Sequence, residues 1–315
     1  MHDIVIRSGK VVDGTGKAIQ QMDIAIDNGL ITAVGNDIGE GRTEIDASNH
    51  LVTPGFVDVH THYDGQATWD PEMSPSSYHG VTTTVFGNCG VGFAPAQPDS
   101  HDWLIQLMEG VEDIPGAALA EGIEWNWETF PEYLDALEKM PRVMDIATQV
   151  PHGSVRAYVM GERGARNEDP TANDLIAMAQ IVQEGIEAGA LGFTSSRTML
   201  HRALDGEPVP GTFAGADELI AMGQAVAEAG GGVVEVASDI GLGGLEGNFG
   251  SDIDWMRELA SEYGLTVTYA LNQADNHPQQ WRDLLELSSA PIEGNGKVIA
   301  QVAGRPAGLL FGLET

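Results

Sequence analysis

The sequence has 315 residues, of which 42% are hydrophobic, so it can build a large core. Its 15 basic and 47 acidic side chains give a formal net charge of -32. Such a surface repels phosphate backbones and anionic membrane faces. We therefore expect neither a nucleic-acid partner nor a membrane partner.

The first fifty residues form a pattern of their own. Short β-type runs alternate with glycine-containing turns, and Asn28-Gly29 between two such runs is a strong hairpin signal. The runs cover residues 4–6, 10–12, 23–26 and 30–34. We expect residues 1–52 to form a small β-rich subdomain, part of a composite β-sandwich.

From residue 53 onward, strands alternate with amphipathic helices, which is typical of an α/β fold with a parallel sheet. Several of the strands are continuous apolar runs, as expected where helices cover both faces. The strands are predicted at 57–62, 82–87, 143–150, 190–195, 232–238, 265–272 and 297–303. The helices are predicted at 129–140, 173–188, 216–229, 252–263 and 278–287. We predict a TIM-type (β/α) barrel over residues 53–315 that is incomplete, with about seven strands and the last one missing.

The sharpest chemical signal is the run PGFVDVHTH at residues 54–62. Side chains alternate along a strand, so His60 and His62 are expected on the same face, where two imidazoles can bind one divalent ion. Two incidental histidines on a half-buried strand are the alternative. The Pro-Gly turn before the run and the β-rich segment upstream favour metal binding.

Together these features resemble the amidohydrolase superfamily, in which a β-rich unit precedes such a histidine pair. The run Gly-Asn-Cys-Gly at residues 87–90, after the second strand, narrows the resemblance to the N-acyl-D-amino-acid deacylase branch. The resemblance implies that His60, His62 and Cys89 bind Zn2+ or another divalent transition metal, as one or two ions. It also implies hydrolysis of the amide bond of a small N-acyl amino acid, of D configuration. From the residues alone, a single cysteine is also compatible with a small buried apolar role.

Two features depart from that family pattern. The family has a histidine on the fifth strand and another on the sixth, and the predicted strands at 232–238 and 265–272 contain none. Glu235 could replace one as an oxygen ligand, or form a salt bridge instead, while Asp239 on the same face and Asn272 at the end of the next strand are candidate substrate contacts. The family's catalytic aspartate belongs to an eighth strand, expected beyond Thr315, so the catalytic residue is unassigned.

The loops that follow other strands supply further candidates for substrate binding. His152 follows the third predicted strand, and Arg197 and His201 follow the fourth. A guanidinium group matches a substrate carboxylate, although surface loops are polar in any case. The fourth strand contains no lysine, which disfavours a cyclic amidase of the hydantoinase type.

Alternatives to an active metallohydrolase also stay open. The chain could be a catalytically inactive fragment, or a metal-free scaffold of the same superfamily. An open barrel edge would favour self-association, so a homo-oligomer is possible. Cys89 is the only cysteine and the N-terminus has no signal-peptide pattern, so we expect a cytoplasmic protein.

Overall fold

The structure is a computed structural model that describes residues 1–239, 249–275 and 277–304. The chain divides into two compact units, Met1–Phe56 and Val57–Thr315. The smaller unit contains only strands, and the larger unit alternates strands with helices. None of the described helices combines the length and apolar character needed to cross a bilayer.

The smaller unit is a five-stranded sheet with the order β3-β2-β1-β4, in which β5 also pairs with β1. Its strands are β1 (His2–Val11), β2 (Gln20–Asp27), β3 (Leu30–Gly35), β4 (Gly41–Asp46) and β5 (Leu51–Val52). β2 pairs antiparallel with β1 and β3, whereas β4 and β5 run parallel to β1. The turn between β2 and β3 has φ 51° at Asn28 and 76° at Gly29. These left-handed values suit a two-residue hairpin turn, so the predicted hairpin is confirmed.

The strands of the larger unit form two sheets, β6-β7-β8 and β13-β12-β11-β10-β9. They are β6 (Phe56–Asp58), β7 (Val81–Phe86), β8 (Asp145–Thr148), β9 (Val150–Pro151), β10 (Gly192–Arg197), β11 (Val233–Ser238), β12 (Thr266–Ala270) and β13 (Lys297–Gln301). The ladders of β7 with β8 and of β9 through β13 are parallel. Only Gln149 separates β8 from β9, so these two strands continue one another along the chain. Within the described residues no ladder joins β6 to β13, so no closed sheet is observed.

Nine α-helices occur in the described part of the chain, and they alternate with the later strands as an α/β fold requires. They are α1 (His101–Glu112), α2 (Gly116–Gly122), α3 (Phe130–Lys139), α4 (His152–Met160), α5 (Glu162–Ala165), α6 (Ala172–Glu187), α7 (Ala216–Glu228), α8 (Phe249–Tyr263) and α9 (Gln280–Ser289). The five predicted helices correspond to α3, α6, α7, α8 and α9. Strands β10 to β12 lie in the core, where Phe193, Val236 and Val267 are fully buried.

Helix starts follow side-chain caps in two places. Thr171 and Asp174 form a capping box at α6, and Thr129 with Glu132 forms another at α3. The sequence Ser251-x-x-Asp254 also has the spacing of a capping box, but α8 already begins two residues earlier, at Phe249.

Two differences from the predicted elements affect the site. Strand β6 ends at Asp58, so His60 and His62 lie beyond it and not on the strand predicted to run to residue 62. The connection from Gly87 to Thr129, in which no helix was predicted, contains α1 and α2. Apolar residues spaced three and four apart bury one face of α1, which is why this segment is helical.

Candidate metal centre

Three of the predicted metal ligands lie together at the carboxyl ends of β6 and β7. His60 Nε2 is 3.1 Å from Cys89 Sγ, and the rings of His60 and His62 have centroids 5.7 Å apart. Each of the three residues offers one ligand atom, and these atoms all lie within 4.8 Å of one another. Two imidazoles and a thiolate are donors that suit zinc and similar divalent ions.

The loop after β7 places Cys89 by means of a left-handed backbone. Gly87, Cys89 and Gly90 have φ values of 78°, 57° and 70°. A Cβ on Gly87 would lie 2.3 Å from the carbonyl oxygen of Gln149, and one on Gly90 would lie 2.8 Å from the amide nitrogen of Ser196. Both glycines are therefore required where this loop approaches neighbouring backbone.

Asn88 fastens the same loop to its neighbours. Its side-chain amide nitrogen, Nδ2, donates to the carbonyl oxygens of Thr61 and Val85, at 3.1 and 3.0 Å. Its side-chain oxygen accepts a hydrogen bond of 2.9 Å from Gln149. Because Thr61 lies between the two histidines, Asn88 holds the histidine segment and the cysteine loop in fixed relation.

Glu235 lies on β11 beneath this group and is 1% exposed. Its Oε2 accepts a hydrogen bond of 3.2 Å from the Cys89 backbone, and its Oε1 is 3.7 Å from His60 Nδ1. Oε1 is buried without a hydrogen-bond partner. Burial raises the pKa of Glu235 to about 8.

Two more ligand-type side chains reach Cys89 from other elements. Glu112, the last residue of α1, and His201, which follows β10, form a second group with Cys89 whose ligand atoms also lie within 4.8 Å of one another. Glu112 Oε1 is 3.2 Å from His62 Nε2. Burial raises the pKa of Glu112 to about 7 and lowers that of His201 to about 4. Sequence reasoning missed Glu112, because one glutamate at the end of an undetected helix carries no local signal.

Asp64 completes what we call the imidazole–carboxylate cluster, which comprises His60, His62, Asp64, Cys89, Glu112, His201 and Glu235. Asp64 is 2% exposed, and its Oδ2 lies 3.9 Å from His62 Nδ1 without a hydrogen-bond partner. Burial raises the pKa of Asp64 well above its usual range and lowers the pKa of His62 well below its usual range. In the described part of the chain, no lysine or arginine forms an ion pair with the three carboxylates. Carboxylates buried without a cation fit a site built around one.

A cavity of about 910 Å³ opens beside the cluster. His60, Glu235, Asn272 and Gln301 are among the residues that line it. Gln301, which sequence reasoning did not identify, places its Oε1 3.2 Å from His60 Nδ1 and donates a hydrogen bond of 3.0 Å to Thr268. A side chain that holds the second nitrogen of an imidazole orients the ring for metal binding.

His152 lies in a different environment, fully buried beneath β10. Its Nδ1 is 2.9 Å from Ser195 Oγ and its Nε2 is 2.9 Å from Glu218 Oε1. Arg156 also donates to Glu218. We call His152, Arg156, Ser195 and Glu218 the arginine network. With both ring nitrogens engaged inside the protein, His152 presents neither of them to the cavity.

The remaining predicted contacts hold the loop after β10. Arg197 donates to Asp252 at 3.0 Å and to the carbonyl oxygen of Ala214 at 2.6 Å. Asp239 accepts from the hydroxyl of Thr198 and, at 2.7 Å, from the backbone of Met199. These bonds occupy the guanidinium and the carboxylate that the sequence assigned to substrate.

Comparison with known proteins places the chain in a family. The sequence profile of the amidohydrolase family matches residues 43–309. A D-aminoacylase of Alcaligenes xylosoxydans xylosoxydans is 32% identical over 197 residues, which are 61% of this chain and 37% of that protein. An uncharacterised protein of Mycobacterium tuberculosis is 34% identical over 225 residues, 68% of this chain and 36% of that protein.

The solved structures agree with the sequence matches. A D-aminoacylase variant in complex with copper chloride aligns with a TM-score of 0.74 and 26% identity, covering 95% of this chain and 58% of that one. The chain spans little more than a third of the length of the curated relatives it matches. The fold, the matched profile and the D-aminoacylase relatives together confirm the resemblance: the chain belongs to the amidohydrolase family, in its D-aminoacylase-like branch.

Proposed function

We propose that this chain carries the metal centre of an amide hydrolase of the N-acyl-D-amino-acid deacylase type. In this proposal His60, His62 and Cys89 bind a zinc-like divalent cation and Glu235 lies beside it. The observation that carries the proposal is the buried imidazole–carboxylate cluster, whose carboxylates have no lysine or arginine partner among the described residues.

A bound cation would supply Lewis-acid chemistry, polarising the scissile carbonyl group and making the attacking water more acidic. The protein's own residues would set the geometry. Gln301 and Glu235 flank the Nδ1 atom of His60, and the Asn88 loop fixes Cys89. Such preorganised ligands add no ordering cost when the cation binds.

The relatives support a proposal for the substrate class. Proteins of Alcaligenes xylosoxydans xylosoxydans named D-aminoacylase, N-acyl-D-aspartate deacylase and N-acyl-D-glutamate deacylase are 30 to 32% identical to this chain over 61% of its length. We propose a small N-acyl amino acid of D configuration as the substrate. Of the predicted substrate contacts, Asn272 lines the cavity beside the cluster, which supports its role best.

We further propose that the two sheets of the larger unit are arcs of a TIM-type barrel, with residues 1–52 as a β-rich subdomain and 53–315 as the hydrolase domain. The parallel ladders and the 3.2 Å approach of Gln301 on β13 to His60 after β6 support this arrangement. A cytoplasmic location and a homo-oligomer stay predictions.

The test is the metal content of the purified full chain, measured by elemental analysis. We expect bound Zn2+ whose amount falls in the His60→Ala, His62→Ala variant and is unchanged in a control variant at an exposed histidine, His79→Ala. Well-folded protein without bound metal after zinc reconstitution would favour a metal-free scaffold instead.

A further inference from the structure

We infer that Thr194 is a positioning residue for the proposed metal-binding cysteine. Its hydroxyl group holds the loop after β7 in the conformation that turns the Cys89 thiol towards the histidines. The inference rests on the proposed function and adds to it a residue of β10 that acts through the backbone of the loop. Its basis is a pair of hydrogen bonds, one on each side of Cys89.

The Thr194 hydroxyl group binds the loop at two points. It donates to the carbonyl oxygen of Gly87 at 2.5 Å and accepts a hydrogen bond of 3.1 Å from the backbone amide of Gly90. The direction of both bonds is fixed, because a carbonyl oxygen only accepts and a backbone N–H only donates. Asn88 and Cys89 lie between these two points, so a single hydroxyl group closes the turn that carries the cysteine.

The neighbouring strand adds a third contact with the same loop. Glu235 on β11 is the register partner of Thr194 in the parallel ladder, and it accepts a hydrogen bond of 3.2 Å from the backbone of Cys89. Three backbone groups of the loop are therefore bound by two side chains that lie side by side on β10 and β11. Since both strands lie in the core, the position of the loop follows that of the sheet.

Burial makes the Thr194 hydroxyl group hard to replace. Thr194 is 0% exposed, and Gly87 and Gly90 are buried as well. Without the hydroxyl group, a carbonyl oxygen and an amide hydrogen would lose their partner inside the protein, a cost that a shift of the loop relieves. Because glycine adopts many backbone conformations, the loop depends on such hydrogen bonds to keep a single one.

The composition of the chain makes the position of this loop measurable. Cys89 is the only cysteine, so every thiol signal reports on it. Cys89 is 4% exposed, and a thiol reagent therefore reaches its sulfur when the loop opens. Losing the Thr194 hydrogen bonds should make this opening more frequent. The same loss should weaken zinc binding, because the orientation of a metal ligand depends on the groups that hold it.

The experiment uses the full chain and compares variants that differ by one hydroxyl group. Thr194→Val is nearly isosteric and removes the hydroxyl group, whereas Thr194→Ser keeps it. The matched control is Thr212→Val, because Thr212 is also 0% exposed and its hydroxyl group donates to the carbonyl oxygen of Val209 at 2.8 Å. Thr194→Ala beside Thr194→Ser gives the same comparison with smaller side chains, should Thr194→Val fail to fold.

Two quantities are measured on each variant. The first is the rate at which the metal-free chain reacts with the thiol reagent DTNB, and the second is the dissociation constant of Zn2+ in competition with a chelator. Circular dichroism and urea unfolding report whether each variant is folded and how stable it is.

Thr194→Val is expected to react with DTNB about 10- to 100-fold faster than the wild type, because two hydrogen bonds no longer oppose the opening of the loop. It should also bind Zn2+ about 10- to 100-fold more weakly. Thr194→Ser and Thr212→Val should resemble the wild type in both measurements, even where urea unfolding shows that Thr212→Val is as destabilised as Thr194→Val.

Three results would overturn the inference. The first is an equal DTNB rate in Thr194→Val and Thr212→Val, and the second is a Thr194→Ser variant that reacts as fast as Thr194→Val. The third is a faster DTNB reaction in Thr194→Val with unchanged zinc affinity, since the loop would then open without consequence for the metal site. Failure of the proposed function looks different: the wild-type chain binds no Zn2+, while the DTNB rates still decide whether Thr194 holds the loop.

Discussion

Two buried polar groups in the described part of the larger unit contain carboxylates whose pKa values shift in opposite directions. In the arginine network Glu218 is 2% exposed, yet its pKa is lowered. Burial alone would raise it, but the hydrogen bonds and charges of His152 and Arg156 outweigh burial. In the imidazole–carboxylate cluster Glu235 is equally buried, and burial raises its pKa to about 8.

The difference is a cation supplied by the chain itself. Arg156, itself 2% exposed, donates to Glu218 and keeps that carboxylate charged. Among the described residues, the ion-pair partners of Glu235 and Glu112 are imidazoles, whose own pKa values burial lowers. A buried carboxylate that is paired with an arginine of the same chain indicates a structural role. Buried carboxylates and imidazoles without an arginine or lysine partner indicate a binding site for a cation.

The largest predicted effect comes from removing the guanidinium group of Arg156. Arg156→Met should lower the free energy of unfolding by about 3–5 kcal/mol, because Glu218 would remain buried without its partner. The measurement is urea unfolding followed by circular dichroism. Arg163→Met, at an arginine with a side chain 41% exposed, should cost no more than about 1 kcal/mol. Equal losses in the two variants would contradict the contrast drawn between the clusters.

The second prediction concerns cation binding to the imidazole–carboxylate cluster. Adding Zn2+ at about 100 times its dissociation constant should stabilise the wild-type chain by about 2.7 kcal/mol, since the folded state alone holds the assembled ligands. Cys89→Ser, which removes the sulfur common to both ligand groups, should lose most of this gain. The Arg163→Met control should respond as the wild type does. A zinc response that survives in Cys89→Ser would place the cation elsewhere.

Part of the fold and part of the site could be predicted from the sequence, because the patterns that indicate them are local. Alternation of apolar strands and helices predicted the α/β order, and the run of His60 and His62 with Cys89 in a glycine-flanked loop predicted that these three residues lie together. Strand β6 ends earlier than predicted, but the backbone of Thr61 still bonds to Val85, so both histidines stay beside β7.

The rest depended on contacts between distant segments. Glu112 reaches the cluster only because α1 packs against the core, and Gln301 meets His60 across 241 residues of sequence. Contacts between distant segments also determine the surroundings of His152 and Arg197, which the sequence predicted to lie in loops after strands, where residues of an active site would lie. Their partners Glu218 and Asp252 lie on later helices, which no local pattern indicates.

The third prediction concerns the loop after β7, which contacts both the imidazole–carboxylate cluster and the segment that carries His152. Gly90 follows Cys89, and its carbonyl oxygen accepts a hydrogen bond of 2.8 Å from Gly153, next to His152. Gly90→Ala should cost about 2 kcal/mol and weaken metal binding, because a left-handed φ of 70° and a Cβ 2.8 Å from Ser196 both resist the methyl group. Gly264→Ala is the matched control, since its φ is 69° but a Cβ there meets nothing within 4 Å. It should cost about 1 kcal/mol and leave metal binding intact, as measured by urea unfolding and zinc titration.

The smallest predicted effect is the pH dependence of the arginine network. Burial lowers the pKa of His152 below its ordinary 6.5, so below that pH the unfolded chain binds a proton that the folded chain does not. The free energy of unfolding should therefore fall as the pH drops below 6.5 towards the pKa of the folded state. His152→Gln should make this dependence less steep, because His60, His62 and His201 also have pKa values lowered by burial, whereas the exposed His79→Gln should leave it unchanged. Measurements in metal-free buffer with EDTA keep bound cations from contributing, and an equally steep fall in His152→Gln would show that another group titrates in this range.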